Sequence, residues 1–179
     1  MSARQALRDA TGLAHGRVDA AYSRFDLASE RRYRAFLLAQ AEALRPIERT
    51  LDDADAAAVV PDWPARRRAH LLLADLADLS VTAPEPFAKP SFISGTASIL
   101  GAIYVLEGSR LGGAVLKRAV PDRFPTKFLE ARQNAGNWRR LLEILDHCLS
   151  RQSDLEAAIL AANEVFARFE LAAAAQWES

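Results

Sequence analysis

His15 closes the segment Leu7-Arg8-Asp9-Ala10-Thr11-Gly12-Leu13-Ala14-His15, and Asp19 follows four residues later. A helix brings residues at that spacing onto one face, so the carboxylate can hold one ring nitrogen and leave the other for a metal. The same pair would also serve as an ordinary satisfied histidine, the commoner fate of a lone imidazole.

A second segment has an unusual composition. Gly101-Ala102-Ile103-Tyr104-Val105-Leu106-Glu107-Gly108-Ser109-Arg110-Leu111-Gly112-Gly113 places Gly108, Gly112 and Gly113 within six positions of an otherwise apolar helical stretch. Glycine in a helix interior costs about 1 kcal/mol relative to alanine, so the cluster asks for a compensating close approach to bare backbone. Either a second helix packs through Gly108-x-x-x-Gly112, or a flat macrocycle lies there.

The elements that position these residues read as helices. Ser2 followed by Gln5 suggests a capping box, and Leu7, Thr11, Ala14, His15 and Val18 recur at helical spacing, predicting a helix over 3–20 with His15 on its inner face. Ser29 can cap a helix over 30–52, in which Pro46 predicts a kink or break. Trp63-Pro64 opens a third, running through Leu79. Arg66, Arg67 and Arg68 oppose the dipole at its start and read as a solvated turn before a binding patch. Three prolines between Ala83 and Pro90 make a loop. The glycine cluster lies in a helix over 92–119, ended by Pro121 to Pro125. A short helix from Pro125 through Arg132, one capped by Asn137, and a last one opened by Ser153 and Glu156 complete the chain. Phe166 and Phe169 on that last helix read as core. With no alternating strand pattern, the chain reads as all-α, one domain over 1–179.

Composition removes several function classes. Lys+Arg and Asp+Glu both total 23, so no global basic field collects nucleic acid or anionic membrane. Cys148 is the only cysteine, which excludes an internal disulfide and any cysteine-rich zinc or iron–sulfur site. No apolar signal region or bilayer-length apolar run is recognisable, and a soluble cytoplasmic protein is expected.

With these residues in hand, the sequence resembles the haem oxygenases, in particular the bacterial type associated with phytochromes. Leu7-Arg8-x-x-Thr11-x-x-x-His15-x-x-x-Asp19 is similar to the family's proximal helix, where the histidine's usual partner is glutamate, one methylene longer. Tyr104-Val105-Leu106-Glu107-Gly108-Ser109-Arg110-Leu111-Gly112-Gly113 resembles the bacterial distal helix. The resemblance implies a helical domain that holds haem between these two helices as both substrate and cofactor. It further implies cleavage to biliverdin, carbon monoxide and ferrous iron with O2 and an external electron donor, a ferredoxin or reductase. A phytochrome receiving biliverdin is an implied partner.

By position, the resemblance makes His15 the axial ligand, Asp19 its orienting group, and Gly108, Ser109 and Gly112 the catalytic face. Gly113 joins the haem contacts, and Arg8 and Tyr104 fall where the family holds the propionates, which implies attack at the α-meso carbon. Ser109 stands where the animal branch has an aspartate; its neutral hydroxyl implies a proton network built from water and backbone. Two other readings keep the scaffold without the chemistry: a haem-binding or haem-trafficking protein that does not turn over, and a ligand-free helical interaction domain.

Overall fold

The computed structural model describes residues 2–83, 85–131 and 135–178. Their regular structure is helical: α1 (Ala3–Tyr22), α2 (Glu30–Asp53), α3 (Ala56–Val59), α4 (Trp63–Arg66), α5 (Ala69–Asp78), α6 (Thr96–Leu116), α7 (Lys127–Glu130), α8 (Ala135–Cys148) and α9 (Gln152–Glu178). A 3-10 turn, Lys117–Ala119, extends α6.

Helix α1 starts where Ser2 predicts. Ser2 Oγ accepts from the Gln5 N–H at 3.2 Å, whereas the Gln5 amide donates to Asp9 Oδ1, so half of the capping box forms. Leu7, Thr11 and Ala14 are buried, but the His15 side chain is 60% exposed. His15 therefore occupies the edge of the apolar stripe and not its inner face. It lies about 100° round the helix from Ala14, enough to leave the core.

Helix α2 runs unbroken through Pro46, which is buried inside it, and Ser29 stands at its N-terminus without a side-chain capping bond. The expected third helix is two helices. Its interruption at Arg67 and Arg68 has a cause in α2: the buried Glu48 carboxylate accepts the backbone N–H groups of Arg68 at 2.7 Å and Ala69 at 3.0 Å. A carboxylate borrowed from another helix thus caps α5 and supplies the negative charge its first turn lacks. Asp75 likewise caps α7, accepting from the N–H groups of Lys127 and Phe128.

Other boundaries also differ from expectation. Residue Arg132, the expected end of the helix from Pro125, lies outside the described residues. Asn137 is inside α8 and does not cap it, and Ser153 lies in the first turn of α9, so its box with Glu156 does not form; Gln152 bonds Glu156 instead at 2.8 Å.

The long C-terminal helix α9 is the common support on which α1, α2 and α6 pack. Its buried face is rich in alanine, including Ala158, Ala161, Ala162, Ala172 and Ala173, which lets neighbours approach closely. Contrary to the sequence expectation, Thr96–Ala119 is long and apolar enough to cross a bilayer by length and composition; half of it is buried within the protein. Its first half, from Ile99 through Glu107, is core packed on α9. Its second half exposes Leu111, Val115 and Leu116.

Candidate functional site

On the free edge of α1, His15 Nδ1 lies 3.1 Å from Asp19 Oδ2, and the two side chains are 60% and 67% exposed. The shorter aspartate side chain therefore reaches the imidazole directly. Phe166 of α9 meets the His15 ring edge-on, with centroids 5.7 Å apart and planes at 87°. Nδ1 is held by the carboxylate and one ring edge by the phenyl, so Nε2 is the nitrogen on which a metal could be received. Sequence periodicity assigns Phe166 to the core together with Phe169. Both are indeed buried, but the contact that distinguishes Phe166 depends on how α9 packs against α1, which periodicity does not encode.

The glycines fall into two groups. A Cβ on Gly101 would stand 2.1 Å from the Ala158 carbonyl oxygen, and one on Gly113 would stand 3.0 Å from that of Leu129. These two are the packing glycines, against α9 and α7. Gly113, expected among the haem contacts, is buried against protein backbone instead. At Gly12 and Gly16 of α1, and at Gly108 and Gly112 of α6, an added Cβ would meet nothing within 4 Å. Close helix packing does not explain Gly108-x-x-x-Gly112. The pair marks an open, side-chain-free strip beside the exposed Leu111 and Val115.

Arg4 and Arg8 of α1 lie close enough to Tyr104 of α6 to act on it electrostatically. Burial raises the Tyr104 hydroxyl pKa, the nearby Arg4 and Arg8 guanidinium groups pull it down, and Asp9 pushes it up. The ring is half-buried against Trp138 of α8, centroids 6.1 Å apart. A phenol and guanidinium groups at one end of an apolar strip suit a carboxylate-bearing ligand.

Ser109 points to the back of α6. Its Oγ accepts from Arg68 Nη2 at 2.8 Å and donates to its own helix at Leu106 O, 2.7 Å away. Behind α6 lies an ionic network that the sequence reading missed. Arg66 Nη1 donates to Glu107 Oε2 at 2.7 Å and Arg66 Nη2 to Asp62 Oδ2 at 3.0 Å, and Arg110 pairs with Glu107 Oε1 at 3.2 Å. Arg66 and Arg68 are 2% and 4% exposed. The expected solvated basic turn is thus corrected at two of its three residues; only Arg67 is exposed, and it pairs with Asp52.

A haem oxygenase from Xanthomonas campestris pv. campestris (strain 8004) is 33% identical over 139 residues, covering 74% of this chain and 83% of that protein. The chain belongs to the haem oxygenase family. No family model matches it. Its fold is that of two solved haem oxygenases. The NO- and CO-bound enzyme from Neisseria meningitidis superposes with a TM-score of 0.77 at 20% identity, over 99% of this chain and 93% of that one. The enzyme from Leptospira interrogans gives 0.76 at 18%, over 98% and 100%.

The residues of this haem oxygenase fit the family's ligand. Among the described residues, no three His, Cys, Asp or Glu side chains gather into a metal site. His15 is a single imidazole donor, which suits a metal already chelated by a macrocycle. The open strip of Gly108 and Gly112 provides the side-chain-free surface a flat ring needs.

Proposed function

We propose that the surface between α1 and α6 is the haem site, and that this haem oxygenase cleaves haem there to biliverdin, carbon monoxide and ferrous iron. The observation that carries the reading is the division of the glycines: Gly101 and Gly113 are consumed by packing, whereas Gly108 and Gly112 are open, one and two turns after Tyr104 on the same helix. When bound, haem supplies the iron at which O2 is reduced and is itself the molecule oxidised.

The chain's own residues orient and restrain. His15 donates Nε2 to the iron while Asp19 fixes the ring through Nδ1. Because Asp19 is largely exposed, solvent screens its charge and the imidazole stays a modest electron donor compared with a cysteine thiolate. Gly108 and Gly112 let backbone lie against the distal face and leave room for water. The Ser109 hydroxyl, engaged by Arg68 and Leu106 O behind α6, leaves that water to backbone groups. Arg8 and Tyr104 hold the propionates and so select the α-meso edge. Electrons come from a ferredoxin or reductase in the cytoplasm, and a phytochrome is the proposed recipient of biliverdin.

Aerobic reduction of the haem complex tests this reading. Loss of the haem band with appearance of biliverdin is expected. Repeated reduction and reoxidation that returns intact haem would assign the protein to haem binding or trafficking instead.

A further inference from the structure

We propose that Arg68 is a positioning residue of the haem site: its buried guanidinium clamps α6 at Leu106 and Ser109 and so sets how far Gly108 and Gly112 project. The inference rests on the haem reading above for its consequence, but the clamp is a property of the ligand-free chain.

Three observations carry it. First, Arg68 Nη2 donates to both Leu106 O and Ser109 Oγ, each at 2.8 Å, and Ser109 Oγ donates to the same carbonyl at 2.7 Å, closing a triangle. In a regular α-helix the Leu106 carbonyl serves the N–H of Arg110. Two further donors draw it outward, and such insertion and back-bonding bend helices. These contacts fall on the turn that leads into Gly108, where the helix lacks a stiffening side chain.

Second, Arg68 is itself immobilised. Glu48 holds its backbone N–H, Phe128 lies beneath its guanidinium with 5.0 Å from Cζ to the ring centroid, and only 4% of the residue is exposed. Burial, with Arg110 nearby, lowers its pKa to about 10, against Glu107 and Glu48, which raise it; it remains a cation at neutral pH. A buried charge seldom stabilises better than apolar packing would, whereas it fixes geometry well.

Third, the rest of α6 behind the open strip is anchored too, by Arg110 to Ala131 O at 3.1 Å and by Gly113 against Leu129. Arg66 holds Glu107 on one side of Gly108, whereas Arg68 acts on both sides of it, at Leu106 and at Ser109.

Amide hydrogen exchange on the ligand-free protein, followed by product analysis, tests the clamp. Arg68→Met should speed exchange at residues 107–113 about tenfold or more and leave the amides of α1 and α9 unchanged. Arg68→Lys keeps the charge but loses the planar fork, and should restore part of the protection. In the haem complex, Arg68→Met should lower single-turnover biliverdin formation about tenfold and change haem affinity less than about threefold. Should Arg68→Met not fold, Ser109→Ala removes the two sides of the triangle that meet at the hydroxyl, leaves the Arg68 to Leu106 bond, and should give about threefold faster exchange at the same amides. Unchanged exchange in a folded variant, or equal acceleration across α1, α6 and α9, would overturn the proposal. Failure of the wild-type protein to cleave haem would instead strike the functional reading, with the exchange result alone deciding the clamp.

Discussion

Asp19 Oδ2 lies 3.1 Å from His15 Nδ1, one helical turn away and in solvent. Outer carboxylate partners of metal-bound histidines are commonly worth about 10- to 100-fold in affinity, but exposure places this one at the low end. Asp19→Asn should weaken haem binding about three- to tenfold and preserve the ferric spectrum, read by absorbance titration. A loss as complete as that from removing His15 would contradict an orienting role.

The two classes of glycine should respond oppositely to alanine. Gly112→Ala removes a poor helix former where the added methyl meets open space, so the ligand-free protein should gain about 0.5–1 kcal/mol while haem affinity falls. Gly112→Leu should obstruct haem altogether. Gly101→Ala drives a methyl into the Ala158 carbonyl and should cost about 1–3 kcal/mol or more. Urea unfolding and haem titration on the three variants check this. A stabilised Gly112→Ala with undiminished haem affinity and turnover would remove Gly112 from the site.

Arg8 and Tyr104 together should control which meso carbon is attacked. Single substitutions leave one anchor, whereas Arg8→Ala with Tyr104→Phe should yield mixed biliverdin isomers before binding is lost, because the apolar faces and the iron–histidine bond supply most of the affinity. Chromatography of the products decides it: a wild-type product other than α, or a double variant giving α alone, would mean that other groups orient the ring.

The burial of Glu48 at the start of α5 should be visible as a pH dependence. Burial raises this carboxyl above its ordinary 4.5, outweighing the lowering pull of the Arg68 and Ala69 N–H groups and the Arg68 guanidinium. A folded-state pKa raised above the unfolded one contributes stability that is fully present below the unfolded pKa and is lost as pH rises through the folded one. Glutamine keeps one acceptor and cannot titrate. The stability advantage of the wild type over Glu48→Gln should therefore widen as pH falls from neutral into the ordinary carboxylate range. Urea midpoints that converge on acidification would contradict the sign.

What the sequence made legible was local. His15 and Asp19 meet because four residues make one turn, and the apolar periods of α1, α2 and α9 mark their buried faces whatever those faces touch. Which glycines face backbone and which face open space was illegible, because Gly101 and Gly112 differ only in what packs opposite: Ala158 in one case, nothing within 4 Å in the other. Arg66 and Arg68 were misread for the same reason. An arginine run looks solvated until Glu107 and Glu48, 41 and 20 residues away, are brought beside it. Phe166 needed the crossing of α9 and α1.

Removal of the proposed ligand, His15→Ala, measured by absorption spectroscopy of the ferric haem complex before and after addition of free imidazole, tests the central claim most directly. The variant should fold, since the side chain is largely exposed. Its haem spectrum should lose the wild-type form, and imidazole should restore it by occupying the position that Nε2 leaves. A variant whose spectrum, affinity and biliverdin yield match the wild type would contradict the assignment of haem to the surface between α1 and α6.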